Sequence, residues 1–129
     1  MRVLQFWVEG CPVPKQRART VRSKSGKVVS FTPKRTARWE SVVRLVAQAA
    51  CSAAGWKPTA AAYEVEIKVY PARRAGDSDN FAKAVTDAMN GVVYPDDRAI
   101  RKLTVERCDV GVALGVMVRV SRAAVAKAG

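Results

Sequence analysis

Short segments of the 129-residue chain repeat apolar residues with the period of a β-strand. Residues 3–8 form a mostly apolar run that predicts a buried strand, and residues 63–70 alternate between apolar and polar side chains. Residues 100–109 and 112–120 predict two more strands, with Gly111 at the turn between them. Residues 17–31, with Ser25 and Gly26 at a turn, predict a loose hairpin in a polar arm.

Two other segments have the spacing of a helix with one apolar side. The first helix is predicted to start at Thr32-Pro33 or Thr36 and to end at Gly55. Its apolar positions are Trp39, Val42, Val43, Val46, Ala49, Ala50 and Ala53. The second is predicted to start near Asn80 and to end at Asn90-Gly91. Its apolar positions are Phe81, Ala84, Val85, Ala88 and Met89.

The order of these elements is typical of an α/β fold. We expect a single domain over residues 1–129, with a mixed β-sheet, two main helices and a basic N-terminal arm or hairpin. Trp7 and Trp39 lie on apolar stripes and are expected in the core. Trp56 follows the first helix directly and is expected to pack as a lid.

Positive charge is concentrated in the N-terminal half of the chain. The formal net charge is +12; residues 1–57 contain twelve basic and two acidic residues, whereas residues 58–129 contain eleven and nine. Between Pro12 and Arg38 no acidic residue interrupts Lys15, Arg17, Arg19, Arg22, Lys24, Lys27, Lys34, Arg35 and Arg38. Such a patch attracts a polyanion, and we expect nucleic acid, although a solvated basic loop or a ribosome-like binder would have the same composition.

The composition excludes several kinds of site. The chain has no histidine, which removes Ser-His-Asp and Cys-His nucleophiles and histidine-bearing zinc sites. Cys11, Cys51 and Cys108 form no CxxC pair and are expected to be free thiols of a reducing compartment. No apolar run approaches the roughly 18 residues of a membrane span, and Glu9 comes too early for a signal peptide. We expect a cytoplasmic protein with no membrane partner.

Acidic residues cluster in one 21-residue window of this basic chain. The five are Asp77, Asp79, Asp87, Asp96 and Asp97. Two residues apart in an extended segment, Asp77 and Asp79 would project to the same side with their Cα atoms about 7 Å apart. The polar side of the second helix is expected to carry Asp79, Asn80, Lys83, Asp87 and Asn90.

Carboxylates crowded in this way repel one another and repel phosphate unless a cation is bound. Since the candidate ligands are all oxygens, they favour Mg²⁺, with Mn²⁺ as a substitute, over zinc. Such an ion polarises a phosphodiester, activates water and stabilises the leaving oxygen. Lys83, one helical turn from Asp79, is placed to neutralise charge on the phosphate or to orient the water. The pattern predicts a metal-dependent nuclease.

Each part of this pattern also has a purely structural explanation. Asp79 is a common helix cap, and Lys83 can form ordinary surface ion pairs with Asp79 and Asp87. Pro95-Asp96-Asp97 is typical of a turn. Their coincidence in one window beside a basic arm favours the catalytic interpretation.

The same residues carry a resemblance to a known family. Residues 77–91, DSDNFAKAVTDAMNG, followed by Asp96 and Asp97, resemble the DxDNxxKxxxDALNG…DD signature of RusA-type Holliday junction resolvases. Residues 10–19, GCPVPKQRAR, and 31–33, FTP, are similar to the PxPKxRPR…YTP pattern of phage-borne members. The resemblance implies a homodimeric, Mg²⁺-dependent endonuclease that nicks opposing strands of four-way DNA junctions symmetrically, in recombination and repair.

By motif position, the resemblance implies that Asp77, Asp79 and Asp97 are catalytic metal ligands, that Lys83 is catalytic and that Asp96 is a further metal ligand. Asp87 matches the motif without an assigned role. The predicted DNA contacts are Lys15, Arg17, Arg19, Arg22, Lys24, Lys27, Lys34, Arg35, Arg73, Arg74 and Asn80. Two alternatives stay open here: a non-catalytic nucleic-acid-binding module, and a nuclease acting on flaps, forks or other branched DNA.

Overall fold

The computed structural model describes residues 2–15, 19–22, 24–31, 34–71, 78–108 and 113–124. Its strands are β1 (Arg2–Glu9), β2 (Arg19–Arg22), β3 (Val28–Phe31), β4 (Ala61–Tyr70), β5 (Ile100–Arg107) and β6 (Gly115–Ala124). The helices are α1 (Lys34–Ala54) and α2 (Ser78–Met89), and a 3₁₀ turn, Asp97–Ala99, precedes β5. The predicted α/β class, with a mixed sheet and two helices, is confirmed.

The main sheet has the strand order β1-β6-β4-β5. Strand β6 is antiparallel to both of its neighbours, whereas β5 is parallel to β4. A parallel pair needs a crossover connection, and α2 lies in the connection between β4 and β5. The two last strands are therefore separated by β4, although the sequence suggested a simple turn between them at Gly111, which lies outside the described residues.

The C-terminal strand is longer than predicted. Ala123 and Ala124, expected to belong to a frayed tail, continue β6 and pair with Ala62 and Ala61 of β4. Residues 125–129 lie outside the described part of the chain.

Both helices pack against one face of the sheet, and this interface is the core. The sheet contributes Leu4, Phe6, Val8, Tyr63, Val65, Ile67, Val69, Val116, Val118 and Val120. The helices contribute Trp39, Val43 and Ala47 from α1 and Phe81, Val85 and Met89 from α2. Because side chains alternate along a strand, the odd-numbered residues of β1 face away from the helices.

This open face explains why the prediction for Trp7 is wrong. Trp7 is 37% exposed and packs against Tyr70, with ring centroids 5.5 Å apart. Its indole nitrogen donates a hydrogen bond to the Glu9 carboxylate. Trp39 is buried as predicted.

Trp56 is a core residue rather than a surface lid. It is 3% exposed, and its indole nitrogen donates to the carbonyl oxygen of Val93 over 2.9 Å. The Arg122 guanidinium lies 3.9 Å from the centre of the Trp56 ring, a cation–π contact. Helix α1 ends just before Trp56 in a Schellman motif, in which Gly55 has φ +64° and the Trp56 amide donates to the backbone carbonyl oxygen of Cys51.

The buried side of α1 is rotated relative to the predicted stripe. The buried residues are Thr36, Trp39, Val43, Ala47 and Cys51. Val42 is 43% exposed and Leu45 is 65% exposed, because the sheet contacts a narrower strip of the helix than the apolar residues cover. Arg44 on its other side donates to the carbonyl oxygens of Ala88 and Asn90, which caps the end of α2.

The predicted hairpin is confirmed as a separate two-stranded antiparallel sheet of β2 and β3. Arg22 pairs with Val28 at its closed end, and Gly26 has the positive φ of +86° that this turn requires. Neither α1 nor α2, the helices of the described chain, has the length and apolarity needed to cross a membrane.

Candidate active site

Helix α2 separates a buried side from a polar side, as its sequence predicts. The buried residues are Phe81, Ala82, Ala84, Val85, Thr86, Ala88 and Met89. Asp79, Asn80 and Lys83 are exposed, while Asp87 and Asn90 are half-buried. Since α2 ends at Met89, the helix itself presents two carboxylates, a lysine and the amide of Asn80 on the side away from the core, and Asn90 follows directly after it.

The first turn of α2 contains Asp79. A carboxylate here interacts favourably with the positive end of the helix dipole. The sequence suggested that Asp77 and Asp79 share an extended segment, but the helix already begins at Ser78, so Asp79 is helical. Asp77 lies outside the described residues. Asp79 and Asp87 are eight residues apart, which is about 12 Å along the helix axis.

The chain between α2 and β5 folds back against the end of the helix. Gly91 has φ +74°, and its amide donates to the carbonyl oxygen of Tyr94 over 2.8 Å. The amides of Val92 and Val93 both donate to the carbonyl oxygen of Met89. This turn fixes the position of the following Asp96 and Asp97 relative to α2.

Asp96 caps the 3₁₀ turn that follows. Its Oδ1 accepts hydrogen bonds from the Arg98 backbone amide over 3.0 Å and from the Arg98 side chain over 3.3 Å. The backbone hydrogen bond is the main reason that the pKa of Asp96 is lowered, and the Arg98 side chain lowers it further. Asp97 is the first residue of the turn and is half-buried. Of the two neighbouring carboxylates, that of Asp96 therefore has a structural partner, Arg98.

Tyr94 connects the Asp96-Asp97 turn to helix α2. Its side chain is fully buried, and its hydroxyl donates to the carbonyl oxygen of Thr86 on α2 over 2.6 Å. Burial raises the pKa of Tyr94, and the negative charges of Asp97, Asp87 and Asp96 raise it further. The charges of three of the five clustered aspartates therefore favour the protonated form of this one buried hydroxyl.

Asp87, which the sequence left without a role, is the acceptor of an ion-pair network. Its Oδ2 lies 3.3 Å from the Lys15 Nζ, and its Oδ1 lies 3.7 Å from the Lys83 Nζ. The same Lys15 Nζ lies 2.6 Å from Glu40 of α1. The Lys15 backbone amide donates to the carbonyl oxygen of Asn80 over 2.9 Å. The N-terminal segment is thereby attached to both helices.

Lys15 differs from the other basic residues in its surroundings. Burial opposes its charge, but the hydrogen bonds and charges of Glu40 and Asp87 outweigh that effect and raise the pKa of Lys15. Its side chain is 22% exposed, against 62% for Lys83. Lys15 was predicted to contact DNA; the structure gives it a stabilising contact, and the DNA contact stays a prediction.

The donor chemistry of the clustered aspartates suits a hard cation, since every candidate ligand is a carboxylate. Among the described residues alone, no group of three acidic or cysteine side chains is arranged to hold a metal ion. The predicted set includes Asp77, which lies outside those residues. The metal site with Asp77, Asp79, Asp96 and Asp97 therefore stays a prediction.

The predicted DNA contacts fall on several elements. Lys24 and Lys27 are exposed at the turn of the hairpin, and Lys34 and Arg35 are exposed in the first turn of α1. Arg19 and Arg22 lie on β2, and only the backbone of this strand is described. Arg17, Arg73 and Arg74 lie outside the described residues, and Asn80 is exposed on α2.

Comparison with protein-family models finds a match that covers nearly the whole chain. The family model of the endodeoxyribonuclease RusA matches residues 9–121. The chain belongs to the RusA endodeoxyribonuclease family. No curated protein matches the chain significantly.

RusA membership accounts for the combination of a basic chain and clustered carboxylates. The family is one of junction-resolving endonucleases that act on branched DNA, so the chain is placed among nucleases. Sequence reasoning found the polar side of α2 and the Asp96-Asp97 turn. It missed Tyr94, whose only signal was a large aromatic residue next to Pro95 at the end of an apolar run.

Proposed function

We propose that the chain is a Mg²⁺-dependent endodeoxyribonuclease that resolves four-way DNA junctions by paired, symmetric nicking. The observation that carries the proposal is the attachment of the Asp96-Asp97 turn to α2 through the Tyr94 hydroxyl and Thr86. It supports a joint role for two acidic segments that are separate in the sequence. The RusA family match over residues 9–121 supports the nuclease chemistry.

In this proposal, carboxylates of Asp77, Asp79, Asp97 and Asp96 hold the metal ion, and Mn²⁺ can substitute for Mg²⁺. A bound ion of this kind polarises the scissile phosphodiester and lowers the pKa of water. Lys83, 62% exposed on α2, contributes a positive charge that stabilises the phosphate as its negative charge increases. Asp87 holds Lys83 from one side, which limits the directions its long side chain can take.

Two copies of the chain would act together on one junction. A four-way junction has two-fold symmetry, so a homodimer can place one site at each of two equivalent phosphates. The surplus of basic residues supports binding of the junction arms through their phosphates. We propose a homodimer for this reason.

The experiment that tests the proposal is cleavage of a mobile four-way junction with and without Mg²⁺. Parent protein and Asp77→Asn are compared side by side. We expect cleavage only by the parent protein with the ion present, and unchanged or tighter junction binding by Asp77→Asn, because a repelling charge is removed.

Two results would replace the proposal. Junction binding without cleavage by the parent protein would indicate a non-catalytic binding module. Cleavage of flaps, forks or linear duplex as fast as junctions would indicate a nuclease of broader substrate range. Equal cleavage in the presence of a chelator would refute the metal dependence.

A further inference from the structure

A groove with an apolar floor and a cationic rim lies beside the first turns of α1. It has a volume of about 470 Å³ and is lined by Val13, Lys34, Arg35, Arg38, Trp39 and Val42. This volume falls within the range of about 300–1,000 Å³ that is usual for sites of small organic ligands. Among the residues that the structure describes, none of the aspartates of the acidic cluster lines this groove.

The floor contains a buried hydrogen-bond donor without an acceptor. Trp39 is 7% exposed, and its indole N–H makes no hydrogen bond within the part of the chain that the structure describes. Trp56, the other buried tryptophan, donates to Val93. The Trp39 nitrogen itself is shielded from the surface, so Trp39 lines the groove with apolar surface rather than with this donor.

The rim carries three positive charges whose position opposes the helix dipole. Lys34, Arg35 and Arg38 are exposed near the start of α1, and no acidic residue lies in its first turn. None of the three forms an ion pair with another described residue, whereas Lys15 is paired with Glu40 and Asp87. Cations at the start of a helix are unfavourable, and an anion bound between them removes that penalty.

The cationic rim and the apolar floor together favour a ligand with an anionic part and a flat apolar part. A nucleotide has both, since its phosphate suits the rim and its base suits the floor of Val13, Trp39 and Val42. A phosphate neutralises the three cations of the rim directly, whereas a second copy of this basic chain could do so only through one of its eleven acidic residues. A base inside a duplex has both faces covered by its neighbours, so the base that enters the groove must be unstacked.

We propose that this groove binds one unstacked nucleotide of the DNA substrate, with its phosphate at Lys34, Arg35 and Arg38 and its base on the apolar floor. The proposal rests on the proposed function, because it takes branched DNA as the substrate. It adds a site for single-stranded nucleotides at the point where a junction exchanges strands.

The experiment measures binding of a ten-nucleotide oligothymidine and of an equally long strand that lacks bases. The variant Val42→Glu places a negative charge on the floor. Its matched control is Ala49→Glu, which adds the same charge to the same side of the helix about 10.5 Å away, beyond the Debye length in physiological salt.

We expect Val42→Glu to weaken oligothymidine binding at least about tenfold and Ala49→Glu to leave it within about twofold. The strand without bases should bind the parent protein about tenfold more weakly than oligothymidine. Trp39→Phe should bind oligothymidine more weakly and should lose any tryptophan fluorescence change that occurs on binding. Circular dichroism establishes that each variant is folded.

Three outcomes would overturn the proposal. Equal weakening by Val42→Glu and Ala49→Glu would show a general charge effect, and equal binding of both strands would show a phosphate site that takes no base. A change in sedimentation of Val42→Glu without a change in DNA binding would show that the groove is a contact between copies. All these readouts are independent of cleavage, so failure of the groove and failure of the nuclease activity are distinguishable.

Discussion

Lys15 and Asp87 form an ion pair in which the Lys15 Nζ lies 3.3 Å from the Asp87 Oδ2, joining residues 72 positions apart in the chain. Both side chains are about one-quarter exposed, so the pair is less screened by solvent than a surface pair. Because Lys15 also contacts Glu40, the basic N-terminal segment and the helix with the catalytic candidates have a fixed relative position.

The first prediction concerns the strength of this pair. Lys15→Met leaves the half-buried Glu40 without its ion-pair partner and Asp87 with only the exposed Lys83, and should lower the free energy of unfolding by about 1–2 kcal/mol. Urea unfolding of Lys15→Met, Asp87→Asn and the double variant measures the coupling directly. Lys24→Met, an exposed matched control at the hairpin turn, should stay within about 0.5 kcal/mol of the parent. Purely additive effects would show that Lys15 and Asp87 are not coupled.

The second prediction concerns the salt dependence of junction binding. On duplex DNA each neutralised phosphate contributes about −0.9 to the slope of log affinity against log salt. Lys34→Ala and Arg35→Ala should each make the slope less steep by up to about one. Lys15→Met should reduce the slope by less than either of these variants, because the ammonium group of Lys15 is already paired with Glu40 and Asp87 and can neutralise a phosphate only in part. A loss of slope in Lys15→Met as large as in Lys34→Ala would show that these ion pairs do not weaken its contact with DNA.

The third prediction separates catalysis from binding at Lys83. Lys83→Ala should slow junction cleavage by at least about a hundredfold, because a positive charge near the reacting phosphate is lost. Junction affinity should fall by less than about threefold, since this removes one exposed charge among many. Single-turnover cleavage measures the rate, and a binding titration measures the junction affinity. A larger loss in affinity than in rate would make Lys83 a binding residue.

The fourth prediction concerns Tyr94. Tyr94→Phe removes the hydrogen bond to Thr86 and should lower the free energy of unfolding by about 1–2 kcal/mol. If the hydroxyl positions the Asp96-Asp97 turn, the Mg²⁺ concentration needed for half-maximal cleavage should also rise. Thr86→Val is a useful control because it keeps the backbone carbonyl that accepts this bond. Normal metal dependence in a destabilised Tyr94→Phe would limit the tyrosine to a role in folding.

The fifth prediction concerns the pH dependence of the Asp96 cap. The pKa of folded Asp96 lies below its ordinary value of 3.8, mainly because of the Arg98 backbone amide. The cap therefore stabilises the fold fully above about pH 3.8, and this contribution is lost as the pH falls through the folded pKa. The parent should be more stable than Asp96→Ala near pH 5, and the difference should shrink below pH 3.8. A constant difference over this range would mean that the cap does not depend on the charge.

Local periodicity was enough to predict the elements that position the candidate site. The apolar residues of α2 recur every three or four positions, so its buried side and its polar side with Asp79 and Lys83 follow from helix geometry alone. The Asp96-Asp97 turn was also visible, because the signal for a turn lies within a few neighbouring residues. Neither requires knowledge of how distant segments pack.

Long-range packing decided the rest. Nothing near Lys15 in the sequence indicates that its partners are Glu40 and Asp87, which are brought to it by the packing of two helices. Trp7 was predicted to be a core residue, but it lies on the face of the sheet that neither α1 nor α2 covers. Trp56 is a core residue because contacts with Val93 and Arg122 bury it. The sequence by itself determined which residues could carry the chemistry, since residue type and local period are local properties. Only the tertiary structure decided which of them meet, because ion pairs, burial and strand order depend on contacts between segments far apart in the chain.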